Sequence, residues 1–284
     1  MFPIQYKFNG QAHTAWGVER WSEVKKANFV PLVRTLYLGM KQPEARYQIP
    51  ILCTTMPQAH YLALEEVQAA LLLAEFDYLL DFVDLPSQWQ VEKLEIRHIL
   101  SGQYLPLQVL HGPSDKLKNL TFEEFIFVES FFDAYAKSEN QQKLDQFCAI
   151  LFRPRKGNKD KTGDVREPFN PHSVDRRAAY IANIPFEIKQ SILLNYIGCK
   201  AAFPKLYPTL FSSQQEEEPE EQPIKRSFSW LETAFRMVEH RPADLEILKK
   251  QNLHEVLASL NVKVRDNEVL KMELESMRRK HQRS

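Results

Sequence analysis

Glycine is scarce in this chain and proline is not: 8 glycines stand against 17 prolines in 284 residues. Hairpin-rich all-β chains need glycine wherever a tight turn demands positive φ, so this balance excludes them as the main architecture. Helices separated by proline stops fit it, and capping signals mark where those helices begin. Thr121 and Glu124 have capping-box spacing ahead of TFEEFIFVESFFDAYAKS, in which Phe122, Phe125, Ile126, Phe132 and Tyr135 share a face. Asn140 caps the next pattern, where Leu144, Phe147, Cys148 and Leu151 recur at helical spacing. Together these predict a helical hairpin ending at Arg153-Pro154.

Other elements follow the same logic. Asn28 as N-cap with Pro31 in the first turn predicts a helix over 29–40. Thr55 and Gln58 open TTMPQAHYLALEEVQAALLLAEFDYLLDFV, whose stripe of Leu62, Val67, Ala70, Leu71, Ala74 and Tyr78 is widened by Leu72, Leu73, Phe76 and Leu80. So broad an apolar face predicts a helix at the centre of the fold, ended by Leu85-Pro86. Residues 87–118 read as mostly irregular, with short helical or strand pieces and a turn at Gly112-Pro113-Ser114-Asp115. Two further helical patterns flank Pro185 and stop at Pro204, while Ser229 with Glu232 and Asn252 with Glu255 start two more.

The expected fold is therefore mainly α. A multi-helix globular body spans 1–211, with minor β at the N-terminus as a small hairpin in 1–15 around Asn9-Gly10. A mobile basic loop occupies 153–172. Residues 212–227 contain SSQQEEEPEEQP, which has no large apolar residue to bury and reads as an acidic flexible linker. A linked C-terminal helical segment covers 228–284. Within it Leu253, Leu257, Leu260 and Val264 follow heptad steps that Asn267 and Lys271 break. Self-association through this helix and docking on the chain's own body are both open at this level.

Lys plus Arg and Asp plus Glu number 37 each, so no overall field draws the chain to nucleic acid or to an anionic membrane. Cys53, Cys148 and Cys199 are odd in number, far apart and set in apolar surroundings, which reads as reduced core thiols of a cytosolic protein. No stretch approaches the roughly 20 apolar residues of a membrane span, and no signal peptide is visible. The expectation is a protein of the cytoplasm with no membrane partner.

One stretch invites a chemical reading. AILFRPRKGNKDKTGDVREPFNP carries Arg153, Arg155, Lys156, Lys159, Lys161 and Arg166, a local positive excess that could contact phosphate. Its glycines, Gly157 and Gly163, are too far apart for a nucleotide loop, and no strand feeds it. No aromatics interleave for base stacking, which makes nucleic acid the weaker reading and a surface loop the stronger. Asp77, Asp81 and Asp84 line one helical face without a completing ligand shell, and no two of the eight histidines have ligand spacing. No hydrolase, zinc or redox motif occurs. The sequence thus predicts no catalytic residue, no cofactor and no metal site. Its expected contact set for a partner is aromatic: Phe122 and Phe125, with Phe127 and Phe131 off the main stripe.

Several stretches in order carry a likeness: WSEVKKANFVPLVRTL, HGPSDKLKNLTFEEFIFVESFFDAY, LDQFCAILFRP, GDVREPFN, ILLNYIGCKAAFPKLYPTLF, then an acidic stretch and a tryptophan. The chain resembles, from about residue 16 to 262, uncharacterised proteins encoded in Bacteroidetes phages and prophages. That family is placed among tail-module genes, and its C-terminal portion looks like that of tail assembly chaperones. The resemblance implies a non-enzymatic protein of a phage or phage-like particle, acting in tail assembly or as a tail structural component. Its implied partners are tail or particle proteins such as a tape-measure or tail-tube protein, in the cytoplasm of a bacterial host with or without retention in the virion. It supplies no catalytic residues. The rival class is a nucleic-acid-associated protein using 153–166 and the basic end at Arg278, Arg279, Lys280 and Arg283.

Overall fold

The computed structural model describes residues 1–96, 99–100, 103–104, 108–157, 163–212 and 229–281. The acidic stretch assigned as a linker lies, but for its first residue, outside the described residues, as do Lys159, Lys161 and Arg283. The chain is mainly helical, with its longest strands in the N-terminal hairpin. Strands β1 (Phe2–Phe8) and β2 (Gln11–Gly17) pair antiparallel, Phe8 opposite Gln11 and Phe2 opposite Gly17. The turn between them has Asn9 at φ 50 and Gly10 at φ 77, the two left-handed residues that a two-residue hairpin with the strands' own twist requires.

Helix α1 (Lys26–Gly39) begins earlier than its asparagine suggested. Asn28 is already inside it, and its side-chain amide donates to the Leu52 carbonyl at 2.7 Å instead of capping. Next come α2 (Ile49–Cys53), α3 (Gln58–Leu62) and α4 (Glu66–Ala74). The single long central helix expected here does not form. A capping box between Glu65 and Gln68 starts a fresh helix at residue 66, and Asp77–Asp81 continues only as a 3₁₀ turn that ends at Phe82 in a left-handed conformation. Breaking the segment lets its wide apolar face wrap: Leu72, Phe76 and Leu79 turn into a core with Trp21, Phe29, Leu32, Val33 and Leu36 from α1 and its approach. Leu62, Val67 and Leu71 are left outside.

Strands β3 (Lys93–Ile96), β4 (Ile99–Leu100), β5 (Gln103–Tyr104) and β6 (Gln108–His111) follow. Helices α5 (Phe122–Ser138) and α6 (Gln141–Leu151) form the anticipated hairpin. Thr121 accepts from the Glu124 N–H at 3.2 Å and Asn140 from the Gln142 N–H at 2.9 Å, so both N-caps form, but the expected box at Thr121 is not completed because the Glu124 carboxylate accepts from Arg153 instead. Strand β7 (Arg153–Pro154) joins β6, giving the sheet order β3-β6-β7. Then α7 (Val174–Ile181), α8 (Phe186–Lys200), α9 (Phe203–Leu206) and α10 (Pro208–Ser212) complete the body.

The central helix is α8. Residues Lys189 to Tyr196 are buried in succession, so it has no solvated face along that run. Each polar side chain there has a partner: Lys189 with Asp145 at 2.7 Å, Gln190 with Tyr135 at 2.6 Å, and Asn195 with the Gln88 and Pro86 carbonyls at 2.9 and 3.1 Å. Leu194 packs into the N-terminal core while Ile192 and Tyr196 face the second core around α5 and α6. Gly198 sits where a Cβ would come within 2.6 Å of the Pro86 carbonyl oxygen, so only glycine lets α8 approach that backbone.

The C-terminal segment is α11 (Trp230–Met237), α12 (Pro242–Lys249) and α13 (Leu253–His281). It docks on the start of α5. The Phe122 N–H donates to the Gln251 carbonyl and the Leu253 N–H to the Leu120 carbonyl, both at 2.9 Å. Ala234, Leu245, Leu248, Val256 and Leu257 share one core with α5 and α6. Among the described residues no helix is long and apolar enough to cross a membrane.

Candidate functional site

The aromatic contact set divides sharply. Phe122 and Phe125 are fully buried, which removes them from any partner surface. Phe125 packs against Trp230 at 5.1 Å and Phe203 at 6.0 Å between ring centroids, so it faces the chain's own C-terminal segment. The capping argument located the helix, but nothing in its spacing said that α11 and α13 would cover that face. Phe127 is half-buried against Phe169 at 5.3 Å, and Phe131 is half-buried with the Lys143 ammonium 5.2 Å from its ring centre.

The basic stretch is a hairpin at its base. Its second limb returns beside the first through the Arg155–Arg166 bridge, with the Lys156 N–H donating to the Val165 carbonyl and the Glu167 N–H to the Pro154 carbonyl. Arg153 and Arg166, taken as phosphate contacts, are each only 1 % exposed. Arg153 donates through Nη1 to Glu124 Oε1 at 2.7 Å and through Nη2 to Asp164 Oδ2 at 3.4 Å. Arg166 grips Asp164 with Nε at 2.9 Å and Nη2 at 2.8 Å, and gives Nη1 to the Leu151 carbonyl at 2.9 Å. Its Nη2 also reaches Glu124 Oε2 at 3.3 Å.

Two arginines and two carboxylates balance, because a lone charge at this depth would cost several kcal/mol. Burial pulls the Arg153 guanidinium below its ordinary value and the Glu124 charge opposes that; arginine's basicity keeps it charged. The flanks of the loop are thus tied to the body by ion pairs. Arg155 is exposed and Lys156 half-buried. A cavity of about 500 Å³ lies beside the cluster, where Lys156 and Lys250 face Glu123 and Glu167. Its lining charges cancel, which gives a phosphate no electrostatic preference for it.

Among the described residues no group of histidine, cysteine and carboxylate side chains is arranged to hold a metal. Asp77 is taken up by Arg46 at 2.6 Å. All three thiols are buried, and burial pushes Cys53 and Cys199 up to about 12 and Cys148 higher still. Thiolate is the reactive form, so a thiol reagent at mildly alkaline pH is expected to label none of them until denaturant is added. Fast labelling of the native protein, followed by mass spectrometry, would contradict this packing.

The surface feature that sequence reasoning missed lies between β1 and α4. Leu62 is 69 %, Val67 69 % and Leu71 66 % exposed. Leu71 and Leu72 from α4 and Phe2, Ile4 and Tyr6 from β1 line a groove of about 450 Å³, floored in part by Met56. Isolated exposed apolar side chains are ordinary, but Leu71 lines an apolar groove and Val67 stands one turn before it on the same face of α4. Glu75 is exposed and is the one acidic residue that lines the groove. The other edge of β1 pairs with no strand among the described residues, yet Pro3 and Lys7 occupy it and blunt it against strand addition. The groove therefore suits side chains of a helix better than another strand. The signal in the sequence was the excess width of the 62–80 apolar stripe, more than one buried helix could use. No family model matches the chain, and no curated protein or solved structure matches it either.

Proposed function

We propose that this chain is a non-enzymatic assembly or structural protein of a phage tail or phage-like particle, working through protein contacts. The observation that carries the reading is the apolar groove between β1 and α4, lined by the exposed Leu71, with exposed Val67 one helical turn before it. Such a surface takes the apolar face of an amphipathic helix, and Glu75 at its edge favours one with a basic residue beside that face. The resemblance of the 16–262 stretches to phage tail-module proteins supplies the setting, with a tape-measure or tail-tube protein as the partner. The cytoplasm of a bacterial host is where assembly would take place.

The nucleic-acid reading is weakened by the burial of Arg153 and Arg166, which leaves Arg155 and Lys156 as its described phosphate contacts in the hairpin. The test is co-expression of the chain with the candidate tape-measure and tail-tube proteins of its own genome. Capture of one of them is expected, and Val67→Asp with Leu71→Asp should weaken it about tenfold or more, as loss of a contact centre does. Both positions are exposed, so folding should be unchanged. Undiminished capture by the double variant, or capture of neither protein, would refute the reading.

A further inference from the structure

Helix α13 leaves the body near Asn261, whose Oδ1 accepts from the Leu210 N–H at 2.9 Å, and continues to His281. Up to that point Leu253, Val256, Leu257 and Leu260 are buried against the body. Beyond it Leu270, Leu274 and Met277 are 56 %, 55 % and 56 % exposed. The heptad frame through Leu253, Leu257, Leu260 and Val264 breaks at Asn267. Taking Leu253 and Val256 as positions a and d instead gives a frame that resumes after two polar positions: a falls on Leu260, Asn267 and Leu274, and d on Lys263, Leu270 and Met277. The body covers the first part of that seam and leaves the second part open.

We infer that residues 263–278 of α13 pair with a second copy of this chain as a parallel, in-register, two-stranded coiled coil. The charges choose the partner and its direction. Positions g are Asp266 and Glu273, and positions e are Val264, Lys271 and Arg278. In a parallel pair each g residue faces the e residue of the next heptad on the other helix. Asp266 then meets Lys271 of the second copy and Glu273 meets Arg278, each contact occurring twice by symmetry. An antiparallel pair would bring acid against acid and base against base. Lys271, Glu273 and Arg278 form no ion pair among the described residues, and Asp266 has only its exposed neighbour Arg265 at 3.6 Å, a weak surface pair that it can exchange for Lys271. Asn267 at an a position pairs with its own counterpart, a device that sets register and favours two strands at some cost in stability. A stretch this short is marginal as an isolated helix, and burying Leu270, Leu274 and Met277 supplies the stabilisation it lacks.

Sedimentation of the full chain over a concentration series is expected to show a reversible monomer–dimer equilibrium. Leu270→Glu with Leu274→Glu should leave only monomer at every concentration, with the body's unfolding transition unchanged. Glu273→Lys should weaken the dimer about fivefold, and adding Arg278→Glu should restore it, since the swap recreates both cross-pairs. Leu274→Cys should form a disulfide-linked dimer on mild oxidation, because a parallel in-register seam places that position opposite itself. A monomer at all concentrations overturns the inference. So does a dimer that survives the double glutamate variant, a charge swap that fails to rescue, or a Leu274→Cys dimer that does not cross-link. Val67→Asp with Leu71→Asp should leave the dimer intact, which separates this interface from the groove.

Discussion

Glu124→Gln is expected to destabilise the protein by about 3–5 kcal/mol, the usual cost of removing one partner from a buried ion pair. The change keeps the size of the side chain and the backbone cap at Thr121, so lost charge is its main effect. Arg153 and Arg166 both donate to this carboxylate and are both sealed from water. With the glutamate neutral, two guanidiniums share the single charge of Asp164. The cost should show as a lower urea midpoint with an unchanged slope. Glu124→Leu combined with Arg153→Met tests the cause. It removes one charge of each sign, leaves Arg166 with Asp164, and should cost less than the single change. If the single variant is as stable as the parent, the cluster does not hold the hairpin base.

Phe125→Ala is expected to cost about 3–5 kcal/mol by emptying a fully packed site. Phe125 lies at the junction of α5, α9 and α11, touching Phe203 on one side and Trp230 on the other. Its loss should also loosen the C-terminal segment, so tryptophan fluorescence should report an earlier change than far-UV circular dichroism. Phe131→Ala, on a half-buried ring capped by Lys143, should cost much less. Equal small effects at the two positions would return Phe125 to the surface and undo the docking of α11 on α5.

The elements that were legible in the sequence are those whose causes are local. Thr121, Asn140, Ser229 and Asn252 each accept from a backbone N–H two or three residues on. Asn9-Gly10 closed its hairpin for the same reason, since left-handed φ is a property of the turn itself. The helix over 58–85 was misread because periodicity reports that a face is apolar and not how many neighbours share it. The capping box at Glu65 and Gln68 divides that face, and Leu71 and Leu72 from it line the groove.

The basic hairpin shows where local reasoning stops. Composition determined that the chain is mainly helical and that the 149–171 stretch is dense in charge. Whether an arginine there faces water or the core was decided by tertiary structure, because desolvating a guanidinium is tolerable only where a carboxylate meets it. Asp164 arrives from two residues away, but Glu124 arrives from the start of α5, which the chain places there only after α5 and α6 have folded back on each other. The same division holds at α13: its heptad frame is written in the residues, while the packing of α10 and α5 against its first turns decides which part of that seam stays open.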